Sequence, residues 1–189
     1  MMNFLTPVML FLLVAALPAA AASAVRLEGV AFAREVDLQD TRLTLRGYGL
    51  LRYMVVIKAY VGALYLPDEA ASRDVLAPVP KKLELAYFHA IKGEDFAAAT
   101  RKKIADNVSP SEQARLQARI DRLAAMYRDV SPGDRYALTF IPGRGTELSL
   151  NGESLGVIPG DDFAGAVFAI WLGADPIDRG FRDRLLGGT

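Results

Sequence analysis

The side chains best equipped for chemistry in this chain lie between Arg52 and Tyr60. Arg52, Lys58 and Tyr60 interrupt an apolar run at positions of one parity, beside Met54, Val56 and Leu64. Alternate residues of a strand face opposite ways. A strand from Arg52 to Leu66 therefore sets a guanidinium, an ammonium and a phenol on one face. Burying a cation costs free energy unless something pairs with it. Two readings stay open: a solvated edge strand whose charges discourage aggregation, or the wall of a cleft that receives an anionic or carbonyl group. A guanidinium offers a fixed fork of donors to a carboxylate or phenolate. An apolar slot with a few convergent donors is the usual form of a small-molecule site.

Other chemistries are excluded by composition. The 189 residues include no cysteine and one histidine. A thiol nucleophile, a thiolate metal site and a redox pair are impossible, and a multi-histidine zinc site cannot be built. No cofactor motif is present: there is no Gly-x-Ser-x-Gly elbow and no phosphate loop ending in Gly-Lys-Ser/Thr. The 22 basic residues balance 22 acidic ones, which gives no footprint for nucleic acid. His89, at a strand end, is either a general base or a surface imidazole; no nucleophile or carboxylate stands at motif spacing from it. Asp161-Asp162 reads as a helix start complementing the dipole, and Trp171 as a core residue on an apolar helical face.

The elements that must position Arg52 and Tyr60 follow from period and punctuation. Val25 to Val36 predicts a first strand and Thr41 to Leu45 a second. Gly47 and Gly49 suggest a turn or bulge. The long strand then runs from Arg52 to Leu66 and stops at Pro67. Asp68 to Asp74 predicts a short helix, and Lys82 to Phe88 a strand with Leu83, Leu85 and Tyr87 on one side. A helix over Glu94 to Asn107 carries Phe96 and Ile104 on its core side. The next has a clear start in Ser109, Pro110 and Glu112, and an apolar stripe of Leu116, Ile120, Leu123, Ala124 and Tyr127. Tyr136 to Ile141, Thr146 to Leu150 and Ser154 to Ile158 are strands, the last two joined by the hairpin signal Asn151-Gly152. Asp161 opens a helix closed by Gly173, and Asp175-Pro176 starts a last one with Ile177, Phe181 and Leu185 in register. The helices cluster instead of alternating with strands. The class is α+β, with a mainly antiparallel sheet covered by a helical layer.

Residues 1–24 read as a secretory signal peptide: an apolar stretch from Phe4 to Leu17, then Pro18, then Ala22-Ser23-Ala24 as a cleavage site. An uncleaved membrane anchor is the alternative. Residues 25–189 make one domain. The chain is thus expected to meet export machinery and to work in the periplasm or outside the cell.

At the glycine-punctuated strand the sequence resembles the chalcone isomerase-like superfamily, in its bacterial exported branch. The resemblance rests on Gly47-Tyr48-Gly49-Leu50-Leu51-Arg52, on Ile57-Lys58-Ala59-Tyr60-Val61-Gly62-Ala63-Leu64-Tyr65-Leu66, and on Phe168-Ala169-Ile170-Trp171-Leu172-Gly173 with Asp175-Pro176-Ile177. It implies an open-faced β-sandwich with a ligand cleft between sheet and helices. In the plant enzymes an arginine after the glycines orients the substrate phenolate. A strand threonine and a helix tyrosine polarise its ketone. Arg52 matches the arginine, Tyr60 falls at the threonine, Phe96 at the tyrosine, and Lys103 replaces an asparagine of the cleft. The arginine is kept and the hydroxyl pattern is not, which argues against chalcone cyclisation. Non-catalytic relatives bind fatty acids through an arginine and a tyrosine.

The resulting expectation is a binding protein for a small amphipathic acid, fatty or aromatic. Arg52, with Tyr60 and Lys58, takes the anionic end, and the helix carrying Phe96 and Lys103 covers the tail. An intramolecular lyase acting on a chalcone-like enone is one alternative. An interaction protein with a vestigial, packed cleft is the other.

Overall fold

The computed structural model describes residues 24–54, 56–70 and 74–188. The expected signal peptide falls almost wholly outside them. Among the described residues nine strands and four α-helices follow in order: β1 Ala24–Leu27, β2 Val30–Ala33, β3 Glu35–Leu38, β4 Thr41–Tyr53, β5 Ile57–Leu66, β6 Lys81–Tyr87, α1 Gly93–Asn107, α2 Pro110–Met126, β7 Arg135–Ile141, β8 Gly145–Leu150, β9 Glu153–Ile158, α3 Asp161–Leu172 and α4 Arg179–Leu185. A 3-10 turn covers Asp68–Ala70. Strands β3 to β9 form one seven-stranded antiparallel sheet in sequence order, and β1 and β2 form a separate hairpin. The fold is the expected α+β arrangement.

Parity along the strands sorts the core into two layers. On β5, Tyr60, Leu64 and Leu66 belong to a core layer to which all four helices contribute. Val61, Ala63 and Tyr65 turn the other way and pack with Val25 and Phe32 of the hairpin. That hairpin is pinned by charge. Arg135 on β7 donates to the carbonyl of Ala31 at 3.1 Å, pairs with Glu84 at 2.9 Å, and lies 4.9 Å from the centre of the Phe32 ring.

Local signals placed several elements correctly. Ser109 caps α2 by accepting the Glu112 N–H at 3.3 Å. Asn151 and Gly152 take φ of 53° and 85°, the left-handed pair that a tight two-residue hairpin requires. Two expectations are corrected and a third, left open between two forms, is decided. The first strand from Val25 is broken at Glu28-Gly29, both with positive φ, and becomes β1 and β2. Gly47 and Gly49 sit inside β4, and of the turn or bulge expected there it is the bulge that occurs, where the pairing steps from Leu45–Tyr65 to Gly47–Leu64. A Cβ on Gly47 would strike the backbone of α4, and one on Gly49 or Gly62 would strike the Phe181 ring at 3.2 and 2.7 Å. These glycines therefore let α4 lie directly on the sheet. Finally, α4 starts at Arg179 rather than at Asp175-Pro176, because Asp178 caps it, accepting from Phe181 N–H at 2.6 Å. The chain before it is pinned instead: Asn107 binds both backbone groups of Asp175, and Ile177 N–H donates to Ile170 at 2.7 Å.

Candidate functional site

A cavity of about 600 Å³ lies between the sheet and the helices. Strands β5 to β8 supply one wall through Tyr60, Leu83, Leu85, Tyr87 and Tyr136. These side chains share a face because they sit at matched pairing positions: Tyr60 opposite Tyr87, and Leu85 opposite Tyr136. Helix α1 supplies the opposite wall with Phe96, Ala99, Thr100 and Lys103, and α3 adds Ile170 and Trp171. Tyr53 and Ile177 also line it, and both are exposed to solvent.

Aromatic edges hold the wall. Phe96 stacks on Tyr127 at 5.5 Å and meets Tyr87 and Tyr136 edge-on at 5.2 and 5.3 Å. Tyr60 meets Tyr87 at 5.4 Å and Phe181 at 5.5 Å. Such contacts favour fixed ring positions. The hydroxyls are placed with equal care. Tyr136 donates to the carbonyl of Arg128 and accepts its N–H. Thr100 and Tyr127 hydroxyls lie 2.9 Å apart. Trp171 Nε1–H donates to Tyr60 Oη at 3.1 Å. An indole nitrogen only donates, so the hydroxyl hydrogen of Tyr60 stays available to another acceptor.

Burial holds these phenols neutral. It raises Tyr60 well above the usual phenol value, against the opposing Trp171 bond, and Asp178 adds to the rise. Tyr87 is raised by burial and then by its tyrosine neighbours. Tyr127 is pushed up to about 12 by burial, with the Thr100 bond working the other way. The only cation lining the cavity, among the described residues, is Lys103. Burial opposes its charge, but bonds to Asp175 at 3.0 Å and Asp106 at 3.1 Å prevail and raise its pKa. The walls suit enclosure of an apolar body with an oxygen acceptor better than proton transfer, since none of these phenols ionises near neutrality.

The expected row of Arg52, Lys58 and Tyr60 is not on one face. Arg52 belongs to β4, and the chain turns back at Met54 before β5 begins at Ile57. The pairing then steps from Leu51–Tyr60 to Arg52–Lys58, leaving Ala59 without a partner. That extra residue is a bulge, and it reverses the facing of what precedes it. Tyr60 turns to the cavity. Lys58 turns to the hairpin side and pairs with Glu28 at 2.6 Å. Arg52 is exposed and lines an outer groove with Arg46, Tyr48 and Arg184, away from the cavity. The expected cation at the cleft mouth is therefore not Arg52. Phe96 and Lys103 do line the cavity, with Tyr60. His89 is exposed and lies off it. Asp162 binds Arg119 in a two-pronged pair, both contacts at 2.7 Å, which joins α2 to the start of α3.

Residues 24–187 match the family described as chalcone isomerase-like. The chain belongs to the chalcone isomerase-like family. A fatty-acid binding protein of Arabidopsis thaliana has a similar solved structure. The TM-score is 0.68 at 13% identity, covering 87% of this chain and 96% of that one. None of the curated proteins compared with the sequence matches it. In this family member the cleft is neither filled nor closed, as a packed, vestigial one would be. Trp171, Tyr87, Tyr127, Tyr136 and Thr100 are site residues that the sequence reading did not assign. The available signal was tyrosine alternating with leucine on β6 and β7, where leucine alone would suffice for a core. Trp171 gave none, because its partner Tyr60 is 111 residues away. Among the described residues no acidic or histidine cluster could hold a metal ion, and no helix is long and apolar enough to cross a membrane.

Proposed function

We propose that this protein binds a small amphipathic acid and performs no reaction on it. The observation that carries the reading is the cavity of about 600 Å³, walled by leucine and aromatic side chains between sheet and helices. Its size and lining are those of ordinary small-molecule pockets. The fatty-acid binding of the structural neighbour supports the same class of ligand. The apolar body of the acid lies against Phe96 and Leu85. Its carboxyl oxygen accepts from Tyr60, whose hydroxyl hydrogen the Trp171 contact leaves spare. Among the described residues no cation is bonded to Tyr60 and Lys103 is already paired with two aspartates, so the acid binds in its neutral form, because a buried unpaired carboxylate is costly. Lys103, already held by two aspartates, marks the solvent side. Export of the chain by its N-terminal apolar segment belongs to the same proposal, so that the ligand is met in the periplasm or outside the cell.

Dodecanoic acid and its methyl ester are the probes. Calorimetry should show the acid binding best below its own pKa and weakening about tenfold per pH unit above it, with the ester insensitive to pH. Tyr60→Phe should weaken both by about tenfold, as for one lost hydrogen bond to a neutral partner. No binding of either probe at pH 5, or a Tyr60→Phe protein that binds as tightly as the natural one, overturns the proposal. Measurable turnover of a chalcone would overturn its non-catalytic half.

A further inference from the structure

The turn joining β4 to β5 leaves apolar side chains in water. Tyr53 is 62% exposed, Met54 71%, Val56 76% and Ile57 41%. Single exposed apolar residues are ordinary, but a contiguous patch marks a contact surface. This patch touches the cavity. Tyr53 belongs to both, and Ile177, itself exposed, lines the cavity as well. Two cations stand at the base of the tip. Arg52 and Lys58 are paired across the strands. Lys58 is held by Glu28, while no carboxylate is bonded to Arg52 among the described residues.

We propose that this tip enters the interfacial layer of a lipid bilayer carrying anionic headgroups. Met54 and Val56 reach below the headgroups, Tyr53 lies at the boundary, and Arg52 stands at headgroup level. An apolar edge backed by basic residues is the layout of interfacial anchors. A second protein fits less well. A stable protein interface uses about 20–30 residues a side, far more than this tip offers. Docking stands on the tip alone. Direct exchange of an acid between bilayer and cavity rests, in addition, on the ligand proposed above.

The full chain has no cysteine, so Met54→Cys carries a single thiol for an environment-sensitive fluorophore. Ala118→Cys, on the exposed side of α2, is the control. Vesicles of phosphatidylglycerol and phosphatidylcholine should brighten and blue-shift the label at Met54, brominated lipids should quench it, and the control should not respond. Adding Val56→Asp should raise the lipid concentration needed for half the signal about tenfold. Arg52→Glu should weaken the response to anionic vesicles and leave that to pure phosphatidylcholine unchanged. An unresponsive label at Met54 overturns the proposal. So does an equal response at Ala118, which would assign binding to the apolar N-terminal residues. So does a response that follows protein concentration without lipid, which would assign the tip to a second copy. Dodecanoic acid binding by Val56→Asp in vesicle-free buffer should be unchanged. Lost vesicle response with acid binding kept sinks docking alone; lost acid binding in the natural protein sinks the ligand reading alone.

Discussion

The two faces of the sheet are built from the same strands and end in opposite conditions. On the hairpin side, Phe32, Leu43, Val61, Ala63 and Tyr65 are all at most 1% exposed and close on one another. Lys82, Glu84 and Arg135 clamp the edge of that layer at 2.7 and 2.9 Å. On the helix side, equally apolar residues surround an open volume. The difference is not hydrophobicity. Short β1 and β2 can settle onto the sheet until packing is complete. Helices α1 and α3 cannot, because the rings of Phe96, Tyr87, Tyr136 and Trp171 prop them at a distance, and α4 is already seated on the glycines of β4. One face is packed for stability. The other gives up some contact and keeps a cavity.

The helix side itself differs along its length. At one end of β6, Tyr87 faces the cavity. At the other, Lys81 on the same face has no exposed surface. Its ammonium donates to the Ala77 carbonyl at 2.7 Å and lies 5.1 and 5.4 Å from the Phe140 and Phe168 rings. Burial lowers its pKa from 10.5 to about 8, against the pull of Asp74 and Asp161.

The sharpest break in the comparison comes from truncating one aromatic on each side. Phe32→Ala should cost about 3–5 kcal/mol, as a large cavity opens in a closed layer. Phe96→Ala, which enlarges a space already open, should cost about half of that or less. Urea denaturation measures both, and equal losses would mean that the helix layer is packed as tightly as the hairpin layer.

Lys81 tests the closed end by pH. The unfolded lysine holds its proton up to about 10.5, and the folded one releases it near 8. Across that window the unfolded state binds more protons, so stability rises with pH. The cost is fully present below pH 8. Lys81→Met should remove this slope and gain on the order of 1–3 kcal/mol at pH 7, after loss of the Ala77 bond. Thermal unfolding of both proteins from pH 7 to 9.5, below the raised tyrosines, gives the answer. A natural protein with a flat profile would contradict the buried cation.

The smallest effect belongs to overpacking on the cavity side. Ala63→Leu, in the closed layer, should cost about 1–3 kcal/mol. Ala99→Leu, pointing into the cavity, should change stability by less than about 0.5 kcal/mol while reducing the room for dodecanoic acid. Similar stability losses for the two would show that the cavity cannot accept three more carbons.

Where a signal is local, the chain states it alone. The Ser109 cap, the Asn151-Gly152 turn, the period of α2 and the Leu83-Leu85-Tyr87 face each need only a few neighbouring residues, and each is found as read. Facing is legible only while a strand stays regular. A left-handed φ, 49° at Met54, is uncommon for methionine and nothing in its side chain foretells it, and nothing in Ala59 announces a bulge. Those two local choices, fixed by the pairing of β4 with β5, moved Arg52 and Lys58 off the face that parity gave them. They left Tyr60 on it. The Tyr60–Trp171 bond, the seating of α4 on Gly47, Gly49 and Gly62, and the cavity between the layers join residues far apart in sequence. Their geometry depends on how whole elements stack, and side-chain types constrain that stacking only after the sheet and the helices have met.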